Sequence, residues 1–125
     1  MDTAHAHEHP QAGPTLSKAV IRAAGTLEIA KGTLAAILGV SAATITRLFA
    51  GTYILDPSDR KTWEHSALFV RLYRSLDSLL GHDTQAKTWL QGRNTALNAR
   101  PIDLITTSEG LVRVVTYLDC YRGRV

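Results

Sequence analysis

"TLAAILGVSAATITRLFAG", residues 33–51, decides how the chain is read, because it sets two short apolar stretches on either side of a glycine. Thr33 stands before "LAAIL" and Ser41 before "AATITRLFA". Both carry a side-chain oxygen that can accept from the free N–H groups of a helix's first turn. Gly39 and Gly51 follow the two stretches, at points where a chain leaving a helix turns through positive φ and a residue without Cβ does so at least cost. The spacing therefore predicts two short helices joined by a tight turn, the helix-turn-helix arrangement. Leu34, Leu38, Val40, Ile45 and Leu48 supply its buried side, and Ala35 falls where the two helices meet and a small side chain lets them approach. Ala42, Ala43, Thr44, Thr46 and Arg47 remain outward on the second helix and are the candidates for a DNA major groove. Arg47 suits a guanine edge or a phosphate; the two threonines suit a phosphate or a thymine methyl. Lys18, Arg22 and Lys31 are the alternative cationic contacts. So small a reading surface leaves most of the 125 residues for another purpose.

Towards the N-terminus, "MDTAHAHEHPQAGP", residues 1–14, is polar and broken by two prolines. Such a composition buries too little to offset the entropy of ordering, so a disordered tail is expected. His5, His7 and His9 alternate there, but no carboxylate or cysteine cluster completes a metal site, and no metal is expected. From Leu16 the pattern becomes helical, with Leu16, Val20, Ala23, Ala24 and Leu27 at three- and four-residue spacing and Thr15 or Ser17 as the cap. Fourteen Lys and Arg against eleven Asp and Glu leave a net charge of +3, which permits a polyanionic partner without requiring one. The single Cys120 excludes an intrachain disulfide and a cysteine-rich zinc site and fits a reducing cytoplasm. The opening residues lack the basic start and apolar run of a signal peptide, and no apolar run approaches the roughly 18 residues of a membrane span.

Towards the C-terminus, the loop "GTYILDPSDR" leads into a long amphipathic helix beginning near Thr62. Phe69, Leu72, Tyr73, Leu76 and Leu79 or Leu80 form its stripe; Arg71, Arg74, Asp77 and Ser78 lie off it and are expected to form a solvated face. Gly81 ends this helix, Asp83 or Thr84 caps a shorter one closing at Trp89 and Leu90, and Pro101 opens another that runs to Ile105. Thr107 or Ser108 caps the last helix, with Leu111, Val114, Val115 and Leu118 on its stripe. The β-branched run "VRVVTY" favours a strand locally. The 3.6-residue period nevertheless persists for more than three turns and predicts a helix. The fold class is all-α: a tail over residues 1–14, a helix-turn-helix region over 15–60 and a smaller helical region over 61–125. His65 and His82 stand without a nucleophile pattern, a glycine-rich phosphate loop or paired carboxylates, so neither catalysis nor a cofactor is expected.

The unit "WLQGRNTALNARPIDLITTSEGLVRVVTYLDCYRGRV", preceded by a helix-turn-helix, resembles the Xre/MbcA/ParS family of antitoxins. The residues that carry the resemblance are Trp89, Leu90, Asn94, Ala96, Leu97, Arg100, Pro101, Leu104, Glu109, Gly110, Val114, Leu118 and Gly123. One departure lies at Asn98 and Ala99, where the family usually places a glycine before the arginine. The resemblance implies a C-terminal toxin-binding and dimerisation region over residues 61–125. Its partner would be a RES-domain toxin that degrades NAD, and repression of the antitoxin's own operon would run through the helix-turn-helix. The implied toxin contacts are Asn94, Arg100, Glu109, Arg113, Tyr121, Arg122, Gly123 and Arg124, the last four belonging to a basic tail suited to the anionic cleft of an NAD-binding toxin. The implied partners are thus the RES-domain toxin, operator DNA and a second copy of the chain in a homodimer. The alternative is a stand-alone helix-turn-helix regulator with no toxin.

Overall fold

The fold is described from a computed structural model for residues 11–81 and 83–123. Among the described residues there are seven helices and no strand: α1 (Ala12–Thr26), α2 (Lys31–Leu38), α3 (Ala42–Ala50), α4 (Arg60–Leu80), α5 (Asp83–Gln91), α6 (Pro101–Leu104) and α7 (Ser108–Tyr121). The all-α expectation holds, including the β-branched run that becomes α7. The histidines of the N-terminal tail lie outside the described residues.

The predicted caps divide into those set locally and those overridden. Ser41 caps α3 by accepting from the Thr44 N–H at 3.1 Å, and Thr107 caps α7 by accepting from the Gly110 N–H at 3.0 Å. Gly39 and Gly51 end α2 and α3 in the left-handed region, at φ 75° and 82°. Pro101 occupies the first turn of α6, where a missing N–H costs no helical bond. Thr33, by contrast, is not the cap of α2; that helix starts two residues earlier, with Ala30 in the capping position. α1 likewise starts at Ala12, inside the stretch expected to be a tail, with Gln11 in its capping position. Ser17 is buried in α1, and its Oγ accepts the Leu55 N–H at 2.9 Å, 38 residues away. The helix extends because the α3–α4 loop covers it: Gly13 packs so closely under Leu55 that a Cβ there would lie 2.5 Å from the Leu55 carbonyl oxygen.

α4 organises the molecule. It packs against α1 and α2 of the helix-turn-helix half and against α5 and α7 of the C-terminal half, so one hydrophobic core runs through both. Phe69, Leu72 and Leu76 are buried along α4, with Leu34, Ile37, Leu38, Ile45 and Leu48 from α2 and α3 and Leu111, Val114 and Leu118 from α7 in the same cluster. Each large side chain withdrawn from water contributes about 1.5–3 kcal/mol. Gly110 lets α7 seat on α6, because a Cβ at that position would fall on the Leu104 carbonyl oxygen. No single helix among the described residues is long and apolar enough to cross a membrane.

Candidate functional site

The outward side of α3 carries a connected polar chain. Ser41 Oγ lies 2.9 Å from Thr44 Oγ1, and Arg47 Nη2 donates to that same Thr44 oxygen at 3.2 Å. Arg47 is therefore held along the helix surface instead of sampling all its rotamers, which lowers the entropy lost when it meets an acceptor. Thr46 donates back to the Ala42 carbonyl at 3.2 Å, and Ala42, Ala43, Thr46 and Arg47 are exposed while Thr44 is half-buried. The five residues read from the sequence thus lie together on one helix face. Two neighbours join them, Lys31, named above as an alternative cationic contact, and Phe49, which sequence reasoning missed: Lys31, at the start of α2, places its ammonium 5.3 Å from the ring centre of Phe49 on α3. Lys18 and Arg22 lie elsewhere, lining a groove of about 420 Å³ between α1 and α4 with Tyr73 and Arg74.

The C-terminal candidates group around two features. The first is the loop between α5 and α6. Asn94 and Ala99 exchange backbone hydrogen bonds at 2.9 and 3.3 Å, and Asn94 Oδ1 also accepts the Leu97 N–H at 3.0 Å. Asn98 takes φ 58° at the tip. Asparagine tolerates that region better than other residues with a Cβ, so it stands where a glycine would otherwise serve. Its Oδ1 accepts from Arg93 Nη2 at 2.6 Å. Arg113 reaches from α7 to donate to the Leu97 carbonyl at 3.0 Å, and Arg100 at the loop's end forms two bonds with Asp103, at 3.0 and 3.1 Å. The Arg100 guanidinium, chiefly through these bonds, holds the Asp103 carboxyl below its ordinary value. Asn94, Arg100 and Arg113 therefore meet at one loop.

The second feature is the end of α7. Tyr121 is 65% exposed. Arg122, read from the sequence as part of a free tail, is tied down: Nη1 donates to Ser75 Oγ at 2.9 Å, and its backbone N–H donates to the Leu118 and Asp119 carbonyls. Arg71, assigned to a solvated face, pairs with Asp119 through Nη2 at 2.6 Å and Nε at 3.3 Å. Gly123 turns at φ 76°, and Arg124 lies outside the described residues. Glu109 is exposed in the first turn of α7, where its carboxylate complements the helix dipole. Glu109, Arg113 and Tyr121 follow a four-residue spacing that also includes Tyr117, so a single drifting stripe of α7 connects both features. Tyr117 and Trp89 carried no functional signal in the sequence beyond the general resemblance. Their rings stack with centroids 6.3 Å apart, and Tyr121 meets Tyr117 edge-on at 5.0 Å.

A family model described as the antitoxin Xre-like helix-turn-helix domain matches residues 6–71, and one described as the antitoxin Xre/MbcA/ParS C-terminal toxin-binding domain matches residues 75–124. The chain belongs to this antitoxin family. No curated protein matches the chain. The first match contains the whole α3 surface of the antitoxin, and the second contains both C-terminal features. The two matches meet within α4, so the helix that carries the core also joins the DNA-binding and toxin-binding parts of the antitoxin. Among the described residues of the antitoxin, no three His, Cys, Asp or Glu side chains group as metal ligands.

Proposed function

We propose that this antitoxin acts in the cytoplasm, where it neutralises a RES-domain toxin that degrades NAD and represses its own operon as a homodimer within a larger toxin–antitoxin complex. The observation that carries this reading is the joining, through one helix, of an outward-facing α3 surface and a domain whose family description is toxin binding. On this reading Ala42, Ala43, Thr44, Thr46 and Arg47 face the operator, and a modest reading head suffices because an assembly presenting several copies binds DNA with avidity. Asn94, Arg100, Glu109, Arg113 and the segment from Tyr121 to Arg124 face the toxin, with residues 15–60 and 61–125 as the respective regions. The resemblance of the C-terminal residues to the family supports the RES class of partner, and the protein's work is binding, without catalysis or a cofactor.

The experiment is co-expression of the chain with the neighbouring gene. A RES-domain product that co-purifies with the chain, and whose depletion of cellular NAD stops when the chain is present, supports the proposal. Operator binding by a chain that neither captures nor neutralises such a product identifies a stand-alone regulator instead.

A further inference from the structure

Among the described residues, an uncovered apolar surface lies where α4 ends, α5 packs back and α7 finishes. A groove of about 370 Å³ runs there between Leu79, Leu80, Trp89, Tyr117 and Tyr121, and none of the described residues that line it is charged. Leu79 is 39% and Tyr121 65% exposed, while Leu76 and Leu118 form the buried floor. Large apolar groups concentrated in one groove differ from the scattered exposed residues normal on a protein surface. Ring stacking holds Trp89, Tyr117 and Tyr121 in order, so little side-chain entropy is lost when a partner covers them.

We propose that this groove is the hydrophobic anchor of the toxin interface and receives an apolar surface of the toxin, while the polar residues around Asn94 and Arg100 set its orientation. The inference rests on the function proposed above and adds to it the surface that supplies the affinity. Two observations select the toxin as occupant. All the lining residues fall within the toxin-binding match over residues 75–124. The groove also continues along α7, through Tyr117, into the stripe that carries Glu109 and Arg113, so one partner laid along that helix covers both. Aromatic side chains at the centre of an interface carry a disproportionate share of binding energy, whereas exposed charged pairs carry little.

The test uses the full chain and a purified RES-domain protein, the one recovered in the co-expression experiment above. Leu79→Glu and Tyr121→Ala are compared with Val112→Glu, which alters an exposed apolar residue outside the groove. Thermal unfolding is followed by circular dichroism, affinity for the toxin by calorimetry and oligomeric state by light scattering. The proposal expects both groove variants to melt like the wild type and to bind toxin about 30-fold or more weakly, with Val112→Glu unaffected. A wild-type complex whose affinity the groove variants leave unchanged overturns the groove while keeping the RES reading. Conversion of a wild-type dimer to a monomer by Leu79→Glu, with toxin affinity retained, assigns the groove to a second copy and overturns the inference. A wild-type chain that binds no RES protein overturns the function itself and this inference with it.

Discussion

His65 and Ser108 join the two halves of the molecule: the imidazole Nε2 lies 2.8 Å from the Ser108 hydroxyl at the start of α7, 43 residues along the chain. The other ring nitrogen, Nδ1, lies 3.0 Å from the Ile37 carbonyl in the last turn of α2. A carbonyl can only accept, so Nδ1 donates; in the neutral ring Nε2 then accepts from the serine. One buried side chain on α4 thereby satisfies the end of a helix in the DNA-binding half and the beginning of one in the toxin-binding half.

His65→Ala removes both bonds and leaves a cavity at their junction. The expected loss of stability is about 2–4 kcal/mol, combining unpaired buried groups with lost packing. Ser108→Ala costs less, about 1 kcal/mol, because the serine is exposed and water replaces the bond. Chemical denaturation of the two single variants and the double variant checks this; fully additive effects would remove the pairing from the account.

Gly110→Ala tests how α7 seats. The added methyl meets the Leu104 carbonyl oxygen and cannot be accommodated by moving a flexible side chain, since the obstacle is backbone. Helix propensity alone favours alanine by about 0.5–1 kcal/mol. The clash reverses that sign, and the variant is expected to unfold at least 2 kcal/mol more easily, on the order of overpacked core substitutions. An alanine variant as stable as the wild type in a thermal melt would show that α6 and α7 are not held in this close contact.

Glu28 sits at φ 54°, just beyond α1, where its backbone N–H and that of Ile29 close the helix end on the Gly25 and Ala24 carbonyls. Its carboxylate pairs with Lys87 at 3.0 Å, with both groups more than a third exposed. Such a pair contributes about 0–1 kcal/mol, while the left-handed backbone costs a residue with a Cβ about 1–2 kcal/mol. Glu28→Gly relieves the backbone and loses the pair; Glu28→Ala loses the pair and keeps the strain. The glycine variant is therefore expected to exceed the alanine variant by about 1 kcal/mol, measured by denaturant midpoint. The opposite order would refute the assignment.

Arg47→Ala is expected to weaken operator binding by about 1–3 kcal/mol per site where the guanidinium meets a base edge, and by less where it meets phosphate alone. Thr44→Val, which removes only the hydroxyl that holds Arg47, should weaken it less. Gel shifts at fixed salt measure both, and unchanged toxin binding confirms that the variants remain folded. Full operator affinity in Arg47→Ala would move DNA contact to Lys31 or to the α1–α4 groove lined by Lys18 and Arg22.

Arg122→Ala separates two roles of the chain's basic end. The bond to Ser75 makes Arg122 part of the packing between α4 and α7, so its loss is expected to cost about 1 kcal/mol of stability. Replacing exposed Tyr121 should leave stability unchanged. Equal melting temperatures for Arg122→Ala and the wild type would return Arg122 to the free tail.

The amino-acid sequence by itself determined what depends on residues within about four positions of one another. Ser41 and Thr107 cap their helices, Gly39, Gly51 and Gly81 end theirs in the left-handed region, and Pro101 opens α6 because each acts on its own turn of backbone. Apolar periodicity likewise made α3 readable, and with it the five candidate DNA-facing residues, since the outward side of a short helix follows from which side is buried. Tertiary structure decided the roles of Ser17, His65, Arg71 and Arg122. Their partners Leu55, Ser108, Asp119 and Ser75 lie 38 to 48 residues away, and only the packing of the α3–α4 loop on α1, for the first, and of elements along α4, for the others, brings them within bonding distance. The same packing overrode the expected cap at Thr33 and drew α1 back to Ala12. It also left Trp89, Tyr117 and Tyr121 side by side at the surface. An aromatic at helical spacing reads equally well as core in a sequence, and whether it is covered depends on how many neighbours the fold supplies.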